Sequence, residues 1–331
     1  MIGNRVLSAA AILVLGALPA MSQTAELAKV SNHFYFMSTA EGGFNVGAVV
    51  TNEGVLLIDP PAVSELQAVL EALKKITAAP VRWVVHTNYH RVGRSGYEFL
   101  IKQGAILLTS RELDRLAFMR PVTEEAKVPA GQPAAPKPGE AKPAAAERGI
   151  TRFIFDNQIR LFPENVEVRI IALQHKAITA GDVLVCLPAE KVIQAGEIFV
   201  AGSFPDIDMQ AGGGDALGWL EGMKQAVATV PVLKSAMPQP KPELPPLPPE
   251  MEKTLEELVF VIPGRGPISN LKEMKALLNA AQKLRAQAAR AVAAKRELNM
   301  FLYASAMDEF RGFDNLEPYA QKLFHALSAA K

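Results

Sequence analysis

Residues 84–96 read VVHTNYHRVGRSG, and this stretch decides the prediction of the fold. Its first two residues end a short apolar run, Val81–Val85, which is typical of a buried strand. Its last residues lead into a helix that we predict from Tyr97 to Lys102. The polar loop between them contains two histidines, His86 and His90. The stretch therefore predicts one β-α unit with a polar loop at the end of its strand.

The same alternation of strands and helices extends in both directions from this stretch. Upstream, three strands with a tight turn at 52–54 form a predicted β-meander, followed by a helix with apolar positions at helical spacing. These elements are His33–Met37, Val46–Thr51, Val55–Asp59 and the helix Val63–Ile76. Downstream, a strand at Ala105–Leu108 and a helix after Ser110 continue the series.

A second half of the chain repeats this β-then-α order. Its predicted elements are the strands Arg152–Phe155, Val166–Leu173, Val183–Leu187 and Val192–Ala195, the helix Ala216–Thr229, the strand Leu258–Ile262 and a helix from Asn270 to about Leu298. Strands in two groups, each followed by helices, favour two sheets packed face to face with helices outside. We predict an α/β (α+β) fold, a four-layer αββα sandwich of two mixed β-sheets with flanking helices.

Two segments of unusual composition interrupt this domain, which we place at residues 23–298. Residues 123–148 are rich in Pro, Ala, Lys, Gly and Glu, so we expect a mobile insertion. Residues 237–249 are Pro-rich and favour polyproline II, either as a surface connection or as a partner-docking motif. Residues 299–331 are expected to form a C-terminal helical extension.

The N-terminal residues resemble an export signal. Arg5 precedes an apolar run, Val6–Leu18, that is too short to span a bilayer, and Ala20-Met21-Ser22 gives a small-x-small cleavage pattern. We expect a signal peptide at 1–22, export to the periplasm or medium, and no transmembrane span in the mature chain. An uncleaved N-terminal anchor is the alternative.

Composition limits the classes of function. The chain has 35 Lys and Arg against 34 Asp and Glu, so it lacks the excess of positive charge that is typical of nucleic-acid-binding proteins. Hydrophobic residues make up 49% of the chain, enough for a substantial core. The single cysteine, Cys186, excludes an intrachain disulfide, and its apolar strand favours a buried packing role.

Four sequence blocks in order resemble the metallo-β-lactamase superfamily. They lie at 43–59, 84–96, 179–197 and 262–266, and the likeness covers about Val30 to Leu298. Members of that superfamily hold one or two zinc ions with histidines and a bridging carboxylate, and the metal makes a hydroxide nucleophile from bound water at neutral pH.

The resemblance implies seven former metal-site positions, and most of them carry residues that do not bind zinc. In chain order these positions are Asn88, His90, Val92, Gly93, Ile178, Glu197 and Arg265. Val, Gly and Ile offer no side-chain donor, Asn is a poor zinc ligand, and Arg is permanently cationic. We expect no standard di-zinc site and no cofactor. The alternative is a rearranged site with zinc on His90 and Glu197, helped by His86 or His175.

The charges around these positions suggest a rebuilt cleft. We hypothesise that Arg265 pairs with Glu197 and replaces the metal electrostatically, the other possibility being that Arg265 turns to solvent. Arg91 and Arg94 either add anion-binding character or form a solvated loop face. Asp59 ends a strand near the cleft, where we expect it to hold turn amides.

Two functional hypotheses follow from the sequence. The first is an exported, non-catalytic or strongly impaired hydrolase homologue that binds an unknown small molecule or protein partner in the former metal cleft. The second is a divergent metal-dependent hydrolase with a mononuclear or relocated site. The first is favoured because the sequence lacks zinc ligands and shows no replacement triad.

Overall fold

A computed structural model describes residues 26–39, 43–89, 94–118, 151–232 and 258–330 of the chain. Within these ranges, the first sheet has seven strands in chain order, namely β1 (Ala28–Lys29), β2 (Phe34–Ser38), β3 (Asn45–Thr51), β4 (Gly54–Ile58), β5 (Val81–Val85), β6 (Ile106–Ser110) and β7 (Arg152–Phe155). Pairing is antiparallel from β1 to β4 and parallel from β4 to β7. The sheet is therefore mixed, as the meander followed by β-α units predicts.

The second sheet of the described residues has six strands, namely β8 (Gln158–Leu161), β9 (Val168–Ala172), β10 (Val183–Leu187), β11 (Val192–Gly196), β12 (Phe260–Pro263) and β13 (Ser269–Asn270). Their order is β13-β12-β11-β10-β9-β8. The β11–β12 pair is parallel and the other pairs are antiparallel. The parallel pair brings the ends of β11 and β12 to the same edge of the sheet, where Glu197 and Arg265 follow them.

Helices cover the outer face of each sheet. The described helices are α1 (Val63–Lys74), α2 (Arg94–Lys102), α3 (Arg111–Phe118), α4 (Ala216–Val232), α5 (Leu271–Ala293), α6 (Leu298–Leu302) and α7 (Leu316–Ala329). Helices α1 and α2 pack on the first sheet. Helices α4, α5 and α7 share one hydrophobic cluster with the second sheet. Asn270 caps α5 by accepting a hydrogen bond from the Glu273 amide at 3.0 Å.

Strand alternation separates three hydrophobic layers. In β4, Leu56 and Ile58 face the second sheet, whereas Val55 and Leu57 face the helices. In β10, the side chains of residues 183, 185 and 187 enter the cluster between the sheets, whereas Leu184 and Cys186 face the outer helices. Because every side chain of β4 and β10 is buried, both strands read as continuous apolar runs. The four-layer αββα prediction is confirmed.

Several details differ from the sequence predictions. Helix α5 ends at Ala293 rather than near Leu298, and α2 begins at Arg94 rather than Tyr97. The short edge strands β1, β8 and β13 were not predicted. Residues 1–22, 123–148 and 237–249 lie outside the described residues, so the predictions made for them stay predictions.

The C-terminal helical segment packs into the same core as the rest of the second half. Tyr319 of α7 is fully buried, and its ring packs edge-on against Trp219 of α4 at 5.2 Å between centroids. Lys322 of α7 donates to the Ile207 carbonyl at 2.8 Å. The described part of the predicted extension therefore adds to the outer helical layer.

Two further sequence predictions concern Cys186 and membrane-spanning segments. The Cys186 thiol is fully buried, and burial raises its pKa to about 12, which agrees with a packing role. In the described ranges, no helix is both long and apolar enough to cross a membrane.

Candidate functional site

An open cleft lies at one edge of the two sheets, where β4, β5, β11 and β12 end. It opens to solvent, and the space between its lining residues, part of which is open solvent, is about 450 Å³. Its lining consists of Phe44, Asn45, Asp59, Pro60, Pro61, Glu65, His86, Thr87, Asn88, Gly196, Glu197 and Gly264. All four sequence blocks that carry the superfamily resemblance therefore contribute residues to the lining of one cleft.

Asp59 ties three strand ends together at the floor of the cleft. Its Oδ1 accepts a hydrogen bond from the Thr87 amide at 2.7 Å, and its Oδ2 accepts from Thr87 Oγ1 at 2.8 Å. Gln194 of β11 donates from Nε2 to the same Oδ2 at 3.1 Å. Asp59 has a positive φ of 53°, which directs the chain sharply out of β4. This is the amide-holding role expected of Asp59.

Gly196 lets the end of β11 approach β5 closely. Its φ is +57°, and a Cβ atom at this position would lie 2.0 Å from Thr87 Oγ1. Any other residue would suffer both backbone strain and a steric clash with the Asp59–Thr87 pair. The position of Glu197, the next residue, depends on this glycine.

Arg265 and Glu197 form an ion pair at the rim of the cleft. The guanidinium donates from Nε to Glu197 Oε1 at 3.0 Å, and its Nη2 lies 2.9 Å from the same oxygen as an ion pair. Asn88 donates from Nδ2 to Glu197 Oε2 at 3.1 Å. The predicted ion pair is present, but it is only partly buried, since the Arg265 side chain is 46% exposed and that of Glu197 is 18% exposed.

The turn that carries Arg265 is fixed by β3. The Asn45 amide donates to the Gly264 carbonyl at 2.9 Å, and Asn45 Nδ2 donates to the carbonyls of Pro263 and Gly266 at 2.9 and 2.8 Å. Phe44 forms an isolated β-bridge with Arg265, whose guanidinium lies 4.1 Å from the centre of the Phe44 ring. Backbone and side-chain contacts therefore hold the guanidinium in one place.

Ile178 lies in the hydrophobic core rather than in the cleft. Its side chain is 3% exposed and packs in the cluster beneath the outer helices. Asp182 holds this loop by accepting hydrogen bonds from the Thr179 amide at 3.0 and 3.1 Å and from the Thr179 hydroxyl. Burial, with repulsion from Glu197, raises the pKa of Asp182 to about 7, against the opposing hydrogen bonds of Thr179.

The Gly212–Gly214 run supports the same loop. A Cβ at Gly214 would lie 2.2 Å from the Ile178 carbonyl oxygen, and one at Gly212 would lie 2.5 Å from the Thr179 side chain. These glycines therefore have a packing role, because they let residues 208–214 lie directly against the Ile178–Thr179 backbone.

The remaining predicted residues divide between the cleft and the surface. His86 is buried in the cleft wall, with Nδ1 3.8 Å from Asp59 Oδ1 and its ring edge-on to Tyr97 at 4.6 Å. The structure does not bring Arg94 or His175 to the cleft: Arg94 pairs with Glu98 one helical turn away at 2.8 Å, and His175 is exposed. His90, Arg91, Val92 and Gly93 lie outside the described residues.

Sequence reasoning missed two polar residues that organise the site. Asn45 is 1% exposed and Gln194 fully buried, and each links several elements around Asp59 and Gly264. Asn45 begins the largely apolar strand NVGAVVT, and Gln194 interrupts the apolar strand VIQAG. A polar side chain in a buried strand needs hydrogen-bond partners, which is the signal that would have identified them.

The described donors do not fit a zinc ion at the positions that the superfamily uses. Ile178 presents only carbon, and a guanidinium occupies the coordinating side of Glu197 at 2.9 Å. Like charge and the bond to Glu197 both oppose a cation there. Across the described ranges, no group of three or more His, Cys, Asp or Glu side chains is arranged to hold a metal ion.

Comparison with solved structures identifies the architecture. The fold is similar to that of a metallo-β-lactamase from Pontibacter korlensis, with a TM-score of 0.54 and 18% identity over 78% of this chain and 99% of that chain. It is also similar to DIM-1 metallo-β-lactamase exposed to ceftazidime, with a TM-score of 0.52 and 14% identity over 78% and 96% of the two chains. The structure of TMB-1 gives a TM-score of 0.52 and 14% identity over 78% and 97%. No protein-family sequence model and no curated protein sequence matches the chain.

Proposed function

We propose that this chain, which has the metallo-β-lactamase fold, is an exported protein that binds a small molecule in its cleft without a metal and has lost hydrolase activity. The observation that carries the proposal is the Arg265–Glu197 ion pair. It puts a fixed organic cation against the carboxylate that the resemblance assigns to the metal. The cleft is thus supported by charge pairing and hydrogen bonds.

The geometry around this pair favours a maintained binding site. Glu197 is held on one oxygen by Arg265 and on the other by Asn88, and Asn45 fixes the turn behind Arg265. Asp59 is held in turn by Thr87 and Gln194. Both oxygens of Asp59 and both oxygens of Glu197 therefore have hydrogen-bond or ion-pair partners, and these contacts support a shaped cleft.

The second candidate function is a divergent metal-dependent hydrolase. It is favoured by one observation, that His86 and Glu197 line the same cleft. It would need His90 to complete a site with them, since the side chains of residues 91–93 offer no zinc ligand. Two or three nitrogen and oxygen donors can hold a catalytic zinc ion if water takes the open position.

Thermal unfolding with and without metal separates these candidates. The purified protein is unfolded in buffer, with EDTA and with added Zn²⁺, and hydrolysis of a chromogenic β-lactam is followed under the same conditions. A metal-independent protein keeps one unfolding midpoint throughout and shows no zinc-dependent hydrolysis. A midpoint that rises with Zn²⁺ and falls with EDTA, accompanied by hydrolysis, favours the second candidate.

Export is proposed from the N-terminal sequence and has a separate test. N-terminal sequencing of the protein recovered from outside the cytoplasm should begin at Gln23 if the signal at 1–22 is removed. Recovery of the chain with Met1 intact and bound to membrane would support the uncleaved anchor instead.

A further inference from the structure

We infer that Arg265 is a carboxylate-recognition residue, and that the cleft takes a small monocarboxylate with an apolar body. This inference rests on the proposed function, since it names the class of molecule that the metal-independent cleft binds. It starts from the hydrogen-bonding capacity of the guanidinium, which has one edge occupied and one edge without a partner among the described residues.

The occupied edge of Arg265 is its Nε and Nη2 side. Nε donates to Glu197 Oε1 at 3.0 Å, and Nη2 lies 2.9 Å from the same oxygen. A guanidinium carries five N–H donors in a planar fork. The remaining hydrogens, both on Nη1 and one on Nη2, have no hydrogen-bond partner in the described part of the chain. They form a second edge with the spacing that a carboxylate accepts in bidentate fashion.

This second edge is held in place before any ligand arrives. The Phe44 ring supports one face of the guanidinium at 4.1 Å, and Glu197 fixes its in-plane orientation. Glu197 itself is fixed on its other oxygen by Asn88 at 3.1 Å. An arginine that is already ordered loses little conformational entropy when it binds an anion, which favours recognition over an unstructured surface arginine.

The arginine is accessible and lies at the cleft rim. Its side chain is 46% exposed, although it takes part in an ion pair and a ring contact. The residues that it contacts, Phe44 and Glu197, and its chain neighbour Gly264 all line the cleft. We place a molecule bound to the open edge against these lining residues.

The rest of the lining selects the kind of anion. Phe44, Pro60 and Pro61 offer an apolar wall, which suits a hydrocarbon body. Asp59 and Glu65 also line the cleft, so a doubly charged anion such as phosphate meets two like charges. A singly charged carboxylate gains the bidentate contact with less repulsion, and we therefore place it ahead of phosphate.

The test measures benzoate binding to the full-length mature protein by ligand-detected NMR titration. Benzamide, a neutral molecule of nearly the same shape, and inorganic phosphate are titrated in parallel. We expect saturable benzoate binding, with benzamide and phosphate each roughly tenfold weaker or worse, because benzamide lacks the charge-assisted hydrogen bonds and phosphate is repelled by Asp59 and Glu65. Equal binding of phosphate, equal binding of benzamide, or no saturable benzoate binding would overturn the inference.

Substitutions assign the binding to Arg265. Arg265→Lys keeps the charge and the ion pair but lacks the fork, so benzoate should bind about tenfold more weakly while the unfolding midpoint changes little. Arg265→Gln should abolish binding. Arg111→Gln is the matched control, because Arg111 forms a similar pair with Asp156 through Nε at 2.6 Å, away from the cleft. Unchanged benzoate affinity in Arg265→Lys would refute the role of the fork.

The outcome is independent of the test of the proposed function. Stoichiometric zinc together with Arg265-dependent benzoate binding would defeat the metal-independent proposal and leave this inference standing. A metal-free protein whose benzoate binding does not depend on Arg265 would support the metal-independent proposal and overturn this inference.

Discussion

Removing the Arg265 guanidinium should destabilise the protein by an amount set by the partial burial of its ion pair. Exposed ion pairs contribute about 0.2–1 kcal/mol, and breaking a fully buried pair costs about 3–5 kcal/mol. With Arg265 46% exposed and Glu197 18% exposed, the pair lies between these limits. Adding a contact of about 0.5–1 kcal/mol with the Phe44 ring, we expect Arg265→Met to lose about 2 kcal/mol of unfolding free energy.

The assay is urea unfolding at neutral pH, supported by thermal unfolding, in which this loss corresponds to a fall in midpoint of about 4 °C. Glu197→Gln and the double variant complete a double-mutant cycle. Glutamine keeps an oxygen for the Asn88 hydrogen bond, so the cycle isolates the charge interaction with Arg265. A coupling free energy of about 1 kcal/mol between the two sites is expected.

The control is Arg111→Met, which removes a guanidinium from an ion pair that is more than 60% exposed on both partners. This variant should unfold at the wild-type midpoint. If Arg265→Met loses no more stability than Arg111→Met, or if the cycle gives no coupling, the ion pair does not support the cleft and the reasoning fails.

Three further predictions concern the residues around the site. The pKa of Asp182 is raised from 3.8 to about 7 in the folded protein, so the folded state binds an extra proton and the free energy of unfolding should fall as pH rises from about 4 to 7. In urea unfolding across this range, Asp182→Asn should show a weaker dependence of the unfolding free energy on pH than the wild type. An equal dependence would contradict the assignment. Gly196→Ala adds a clash with Thr87 to backbone strain and should lower the free energy of unfolding by about 3 kcal/mol. Its control, Gly202→Ala, has a φ of +71° and open space around it, and should lower this free energy by only about 1 kcal/mol. Equal losses in denaturant unfolding would rule out the close approach at Gly196. Trp219→Phe removes the hydrogen bond from Nε1 to the Ile198 carbonyl at 2.9 Å and should lower the free energy of unfolding by about 2 kcal/mol, as measured by thermal unfolding. An unchanged free energy would show that the carbonyl finds another partner.

The fold was predictable because burial leaves a direct trace in the sequence. Strands β4 and β10 are covered on both faces and read as continuous apolar runs, and α1 shows helical spacing of its apolar residues. The short edge strand β8 has alternating exposed and half-buried residues, but four residues are too few for that alternation to stand out in the sequence. Its position depends on pairing with β9, which local sequence does not specify.

The ion pair of the site could be predicted from the charges of its residues, whereas the positions of side chains that depend on packing could not. A permanent cation close to a carboxylate predicts the Arg265–Glu197 pair, but the sequence does not reveal how much of it solvent reaches. Ile178 was assigned to the former metal site by position in the superfamily pattern, whereas its apolar side chain takes it into the outer core. Asn45 and Gln194 were missed because their partners come from distant segments.

The most direct test of the central claim is elemental analysis of the purified mature protein, repeated after incubation with excess Zn²⁺ and exhaustive dialysis. If an ion pair has replaced the metal, zinc stays well below one equivalent per chain in both samples, and Arg265→Met does not lower it. One tightly held equivalent of zinc that disappears in His90→Ala would contradict the account, since a metal would then be bound in the cleft beside Arg265.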